Sequence, residues 1–186
     1  GVVQNAMALS NRPITRNEKP DQVWRERLQD LAAATGVVTI VDRYALKNFL
    51  EPSAAISGLE RLMRNLAGLH VPNKKIVNLY SAYSIDWGLT GSSRNFDSAC
   101  KQIFGQLEDF CRSIGDGAIR ELNIFIAPDG KFGDVDHYRY IRFDNQTMLI
   151  LDSGLEPLSG TSVERTCPVT LVRWMCPEAD AYRADE

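Results

Sequence analysis

Apolar residues recur along this chain with two periods, and the switches between them divide it into elements. Trp24, Leu28 and Leu31 fall at helical spacing and predict a helix over 21–34, with Asp21 as its N-cap and Gly36 as its stop. Residues 37–41, Val-Val-Thr-Ile-Val, are rich in β-branched side chains and predict a buried strand. A helical stretch follows from Ala45. It breaks at Glu51-Pro52 and resumes from Ser53 or Ser57 to Leu66. Residues 75–80 read as a second strand, and the Gly- and Ser-rich residues 88–94 as a loop. The strongest helical pattern spans 95–114, where Phe96, Ala99, Cys100, Ile103, Leu107, Phe110, Cys111 and Ile114 share one face and Gly115 ends the run. Residues 121–127 predict a third strand. Residues 138–143 and 147–151 flank Asp144-Asn145-Gln146 and predict a hairpin, and 169–174 a last strand.

Strand and helix alternate through most of this order, so the expected class is α/β: a mixed sheet flanked by helices, with a hairpin late in the chain. Residues 1–19 are polar and aperiodic and are expected to be a flexible segment. Its first six residues are either vector-derived, with Met7 as the natural start, or part of the chain proper. Residues 20–176 form the expected single domain, and 177–186 an acidic, frayed tail.

Composition adds boundaries. With 186 residues, 44% of them hydrophobic, one core is expected without disulfide or metal staples. A net charge of −3 disfavours a general nucleic-acid coat, though not a local basic patch. Cys100, Cys111, Cys167 and Cys176 show no C-x-x-C spacing, and only two histidines exist to join them, so no metal site and no cofactor is expected. Cys100 and Cys111 lie on the apolar helical stripe and read as small hydrophobes. His70 reads as a plain loop residue, and Lys74 and Lys75 as solvated. No apolar run is long enough to cross a bilayer and no secretory signal stands out, so the expected location is cytoplasmic.

The densest chemistry lies in residues 134–145, after a turn predicted at 128–131. His137, Arg139 and Asp144 stand there as His-x-Arg-x-x-x-x-Asp, one letter from the His-x-Lys-x-x-x-x-Asp signature of the phospholipase D superfamily. In such a set a histidine attacks a phosphodiester, a cation neutralises the phosphate oxygens and an aspartate orients the ring, with no metal required. The plainer reading is a half-solvated strand in which apolar residues alternate with arginines. Asp144 also suits the hairpin turn by itself. Asp42, after the first strand, either caps the next helix or stands at a ligand site, since loops after strands hold ligands in α/β folds.

Three segments together resemble one family. Residues 37–44 followed by Asn48-Phe49-Leu50 resemble the strand, Asp-Pro-Tyr and helix that open the C-terminal domain of MIT-domain proteins. Residues 137–145 look like its His-Asp-Arg-x-Ile-Arg-x-Asp-Asn-Gly segment, and residues 154–158 are similar to its Gly-Leu-Asp-x-Phe. The resemblance covers about residues 36–160 and implies a phospholipase D-like fold without catalysis. It also implies a homodimer, association with membranes, and, for prokaryotic members, a place in defence or stress systems. It places His137, Arg139, Arg142 and Asp144 in one polar cluster, with Asp42 and Tyr44 near it. Arg43 departs from the family's proline and Gln146 from its glycine. Arg139 departs from the lysine of the enzymes, keeping the charge with a different geometry. Only one helix precedes the first strand, so the three-helix MIT domain is not expected here.

The expected function is therefore a non-catalytic domain that binds an anionic, phosphate-bearing ligand, a membrane surface or a partner protein. Its ligand residues would be Arg139, Arg142, Asn145, Asp42, Tyr44 and Lys131. The alternative is a metal-independent phosphodiesterase or nuclease. With a single motif, that would need His137 from both subunits of a homodimer. A third reading is an assembly module within a larger complex.

Overall fold

The computed structural model describes residues 12–83, 96–115, 117–129, 139–144 and 147–173. A first helix, α1, runs through Pro20–Val23, a π-helical turn at Trp24–Leu28, and Gln29–Ala33. Strand β1 (Val37–Val41) follows, then helices α2 (Ala45–Leu50) and α3 (Gly58–Ala67), and strand β2 (Lys75–Tyr83). Helix α4 (Phe96–Ile114) leads to β3 (Ile119–Pro128). The chain closes with β4 (Tyr140–Phe143), β5 (Thr147–Leu151), a 3-10 turn (Glu156–Leu158) and β6 (Val169–Arg173).

These strands form one six-stranded sheet in the order β3-β2-β1-β4-β5-β6. β1, β2 and β3 are parallel, while β4, β5 and β6 run antiparallel to their neighbours. The α/β class, the mixed sheet and the late β4–β5 hairpin thus stand as the hydrophobic pattern predicted. Because β1, β2 and β3 succeed one another in a single direction, right-handed crossovers place both connections on the same face. Val38, Ile40, Val77, Leu79, Ile141, Phe143 and Leu149 line that face and pack with Leu28, Leu31, Leu46, Leu62, Leu66, Ile103 and Leu107 of the helices. On the other face Tyr140, Met148 and Val172 make a small second cluster with Val41 and Ile150. There Phe125, 46% exposed, stacks on Tyr80 at 4.4 Å.

Local chemistry fixes the boundaries. Pro20 opens α1 at a position where its missing N–H costs nothing, and Lys19 stands at the N-cap. Asp21, expected there, instead lies in the first turn and pairs with Arg61 of α3. Ser57 caps α3 by accepting from the Glu60 amide at 3.1 Å. Gly115, at φ 73°, ends α4 in the left-handed region.

Two expectations change. The flexible N-terminal segment does not extend to residue 19. Ile14 is 1% exposed and bridges to Cys167, while Asn17 N donates to Val163 O and Val163 N to Glu18 O. Ile14, these backbone hydrogen bonds and the Arg27 side chain, which donates to the Arg12 and Pro13 carbonyls, dock this polar stretch. Lys75 is not solvated but fully buried, its Nζ donating to Thr35 O at 2.6 Å. Loss of hydration pushes its pKa down, and the nearby Asp144 opposes the shift. Cys100 and Cys111 are half-buried on α4, where burial raises both thiol pKa values. Cys167 is buried. The loop expected at 88–94, Gln146, Cys176 and the acidic tail lie outside the described residues.

Candidate functional site

The site grows from the carboxyl end of β1. Asp42 is the first residue past the strand, and its side chain is buried. Its Oδ1 accepts from the Tyr44 amide at 2.9 Å, a local turn of the kind aspartate favours. Its Oδ2 accepts from the Leu155 amide at 2.8 Å, a contact that crosses the molecule. Burial is the largest influence on this carboxyl and pushes its pKa up from the usual range. The Leu155 and Tyr44 amides and the charge of Arg139 pull the other way.

Gly154 makes this approach possible. It sits at φ 60°, and a Cβ there would lie 2.2 Å from Asp42 Oδ2 and 2.9 Å from Arg139 Cδ. Arg139 enters from just before β4, its carbonyl accepting from the Leu151 amide at 2.8 Å. Its guanidinium stands 5.1 Å from the Tyr44 ring centroid, within cation–π range. Its Nε is buried and has no hydrogen-bond partner among the described residues. Asp42 and Tyr44, Arg139, and Gly154 with Leu155 come from three separate segments and meet at this one place.

The β1–α2 turn that presents these groups is rigidly held. The Arg43 carbonyl accepts from the Ala82 amide and from Ser81 Oγ, and Ser81 Oγ accepts from the Leu46 amide. Arg43 itself makes a two-pronged ion pair with Asp129, Nε to Oδ1 at 2.7 Å and a terminal nitrogen to Oδ2 at 2.9 Å. That pair holds the Asp129 carboxyl below its usual pKa.

Beside Arg139 opens a pocket of about 260 Å3. Lys47, Arg139 and Arg165 supply its cations, Tyr44, Asn48 and Ser153 its neutral polar groups, and Asp42 and Glu156 its carboxylates. Arg165 pairs with Glu156, and this contact raises its pKa above the ordinary value. The pocket has room for an anion of phosphate size beside Arg139, Lys47 and Arg165.

The residues singled out from sequence divide. Asp42, Tyr44 and Arg139 come together. Asp144 does not join them, because it stands at the far end of β4, about 16 Å of extended chain from Arg139. There its carboxylate accepts from the Gly36 amide at 3.0 Å and the Val37 amide at 2.9 Å, clamping the start of β1. Arg142 lies on the sheet face opposite the main core, donating to Thr39 Oγ1 at 3.3 Å. So the described members of the expected polar cluster do not form one group. His137, Lys131 and Asn145 lie outside the described residues.

Sequence reasoning missed Lys47, Asn48, Ser153, Glu156 and Arg165. Lys47 and Asn48 fall one helical turn after Tyr44, a spacing that could have found them. Nothing local marks Arg165. Among the described residues no three His, Cys, Asp or Glu side chains are grouped to hold a metal, and no helix is long and apolar enough to cross a membrane. In comparisons with known proteins the chain matches no family model and shows no significant similarity to a curated sequence.

Proposed function

We propose that this chain is a non-catalytic binding domain of the phospholipase D-like, MIT C-terminal kind, and that it holds an anionic, phosphate-bearing ligand in the Arg139 pocket. One observation carries the reading. A buried-stemmed arginine, braced by the Tyr44 ring and by the turn that Asp42 anchors, lines a pocket that Lys47 and Arg165 also face. Preorganised cations of this sort favour a compact anion, because little side-chain freedom is lost on binding. The pocket lies at the carboxyl ends of parallel strands, where open α/β sheets commonly take ligands. The meeting of all three family-like segments here supports the same relationship. Association as a homodimer and attachment to a membrane surface belong to this proposal through the resemblance alone.

The placement of Asp144 favours binding over the phosphodiesterase alternative in which that residue orients His137. Both of its oxygens are already engaged by backbone amides at the opposite end of the β1–β4 pair.

Calorimetric titration with inorganic phosphate tests the proposal. Arg139→Ala is expected to weaken binding at least tenfold, while Arg142→Ala, on the other face, leaves it unchanged. Affinity should fall as salt is added. Equal binding by wild type and Arg139→Ala sinks the reading. Metal-independent hydrolysis of a chromogenic phosphodiester, lost in His137→Ala, would replace it with the enzyme alternative.

A further inference from the structure

A second cavity, of about 200 Å3 and more enclosed, adjoins the Arg139 pocket. Asp42, Asn48 and Glu156 line both, so the two are neighbours across these side chains. Each alone falls short of the roughly 300 Å3 at which small-molecule sites usually begin. The two lobes differ in sign. The first is lined by three cations and by Asp42 and Glu156. The second is lined by the same two residues and by Glu164, with Asp42 held by two backbone amides and Glu156 paired with Arg165, and among the described residues neither a cation nor an aromatic ring lines it.

We propose that the two lobes form one site for a phosphorylated primary amine, its phosphate beside Arg139 and its ammonium beside Glu156 and Glu164. The inference rests on the anion-binding reading of the Arg139 pocket and extends it. Its physical basis is charge complementarity across two adjoining cavities that share Asp42, Asn48 and Glu156. A phosphate in the second lobe would meet carboxylates with no cation beside them among the described residues, whereas the first lobe adds Lys47, Arg139 and Arg165 to the shared Asp42 and Glu156. A ligand that is anionic at one end and cationic at the other satisfies both. The cationic end is a primary ammonium rather than a quaternary one. A primary ammonium has three N–H donors to offer to carboxylates and to the Ser53 hydroxyl, which also lines the lobe. Quaternary ammonium groups are held instead by aromatic faces, which this lobe lacks among the described residues. Arg139, its guanidinium held against the Tyr44 ring, lines the phosphate end.

Such a ligand can be a soluble metabolite or a lipid headgroup, and the test separates them. The full chain is titrated with inorganic phosphate, O-phosphoethanolamine and phosphocholine, alongside Glu164→Gln and Lys47→Ala variants whose folding is checked by circular dichroism. The wild type is expected to bind O-phosphoethanolamine at least ten times more tightly than phosphate, with phosphocholine no tighter than phosphate. Glu164→Gln should bring O-phosphoethanolamine down to the affinity of phosphate and leave phosphate itself unchanged. Lys47→Ala should weaken both. Equal affinities for the three compounds, all reduced by Lys47→Ala, would overturn the ammonium lobe and leave the anion site standing. No binding of any would overturn both. Sedimentation with phosphatidylethanolamine-containing vesicles but not with pure phosphatidylcholine vesicles would identify the lipid as the source. Binding of the free compound without vesicle sedimentation would identify the soluble one.

Discussion

Asp42 joins two backbone amides, Tyr44 two positions along the chain and Leu155 113 positions along it, and everything at the site is arranged around it. Only a glycine allows the loop at 154 to come so close. Gly154→Ala should therefore destabilise the fold by about 3 kcal/mol. A positive φ costs alanine about 1–2 kcal/mol, and the new methyl must displace a buried carboxylate from its hydrogen bonds, which costs a similar amount again. Urea unfolding of this variant beside Gly105→Ala gives the check. Gly105 sits on α4 with nothing within 4 Å of a new Cβ, so alanine there should gain about 0.5–1 kcal/mol. Wild-type stability in Gly154→Ala would show that the close approach is not required. Asp42 and Tyr44 were legible as site candidates because a short polar turn after a buried strand is conspicuous. The Leu155 amide was not, since nothing in either segment specifies a partner so distant in sequence.

The secondary-structure elements were the most readable level, because periodicity is a local property. β1, the β4–β5 hairpin and α4 lie within a few residues of where the pattern put them. What the pattern could not show is which ends of the elements chemistry would use. β4 separates Arg139 from Asp144, so a motif that is continuous in sequence serves opposite ends of one strand. Lys75, at the start of β2, looked solvated for the same reason: its burial comes from what packs around it. Arg43 pairs with Asp129 at the end of β3. The side chains of this pair are roughly a quarter exposed, so solvent screening limits the gain to about 1 kcal/mol near neutral pH. The sign of its pH dependence follows from the lowered pKa of Asp129. The stabilisation is present above the ordinary value of 3.8 and is lost as pH falls through the folded-state value. Asp129→Asn should thus be less stable than wild type by about 1 kcal/mol at neutral pH and equal to it in acid. Denaturant midpoints measured across that range decide the matter, and a difference that persists unchanged into acid would assign the effect to something other than this ion pair.

At the scale of the molecule, the sheet order brings β1 against β4, which lie about a hundred residues apart, and no pairing signal in either strand announces it. The N-terminal strap was equally hidden, being a polar stretch with one buried isoleucine. Yet it has a consequence for the site. Residues 163 and 167 are bonded to the strap on either side of Arg165, through the Val163 amide to Glu18 O and the reciprocal pair between Ile14 and Cys167. The strap therefore positions a cation of the pocket from outside the sheet. Ile14→Ala removes the strap's buried anchor and should cost about 2–4 kcal/mol, the usual range for such a truncation in a packed core. Because the strap meets the sheet at its β5–β6 side and leaves the parallel strands untouched, that loss should appear first as local opening. In native-state hydrogen exchange, the Val163 and Cys167 amides are expected to speed up before those of Val38, Ile40 and Leu79 in the parallel half. Phosphate affinity should weaken severalfold with them, since Arg165 would no longer be held. Acceleration of all these amides together would mean that the strap and the sheet open as one unit. In that case the pocket's third cation is fixed by the global fold rather than by the strap, and a weakened phosphate affinity would have to be traced to overall stability.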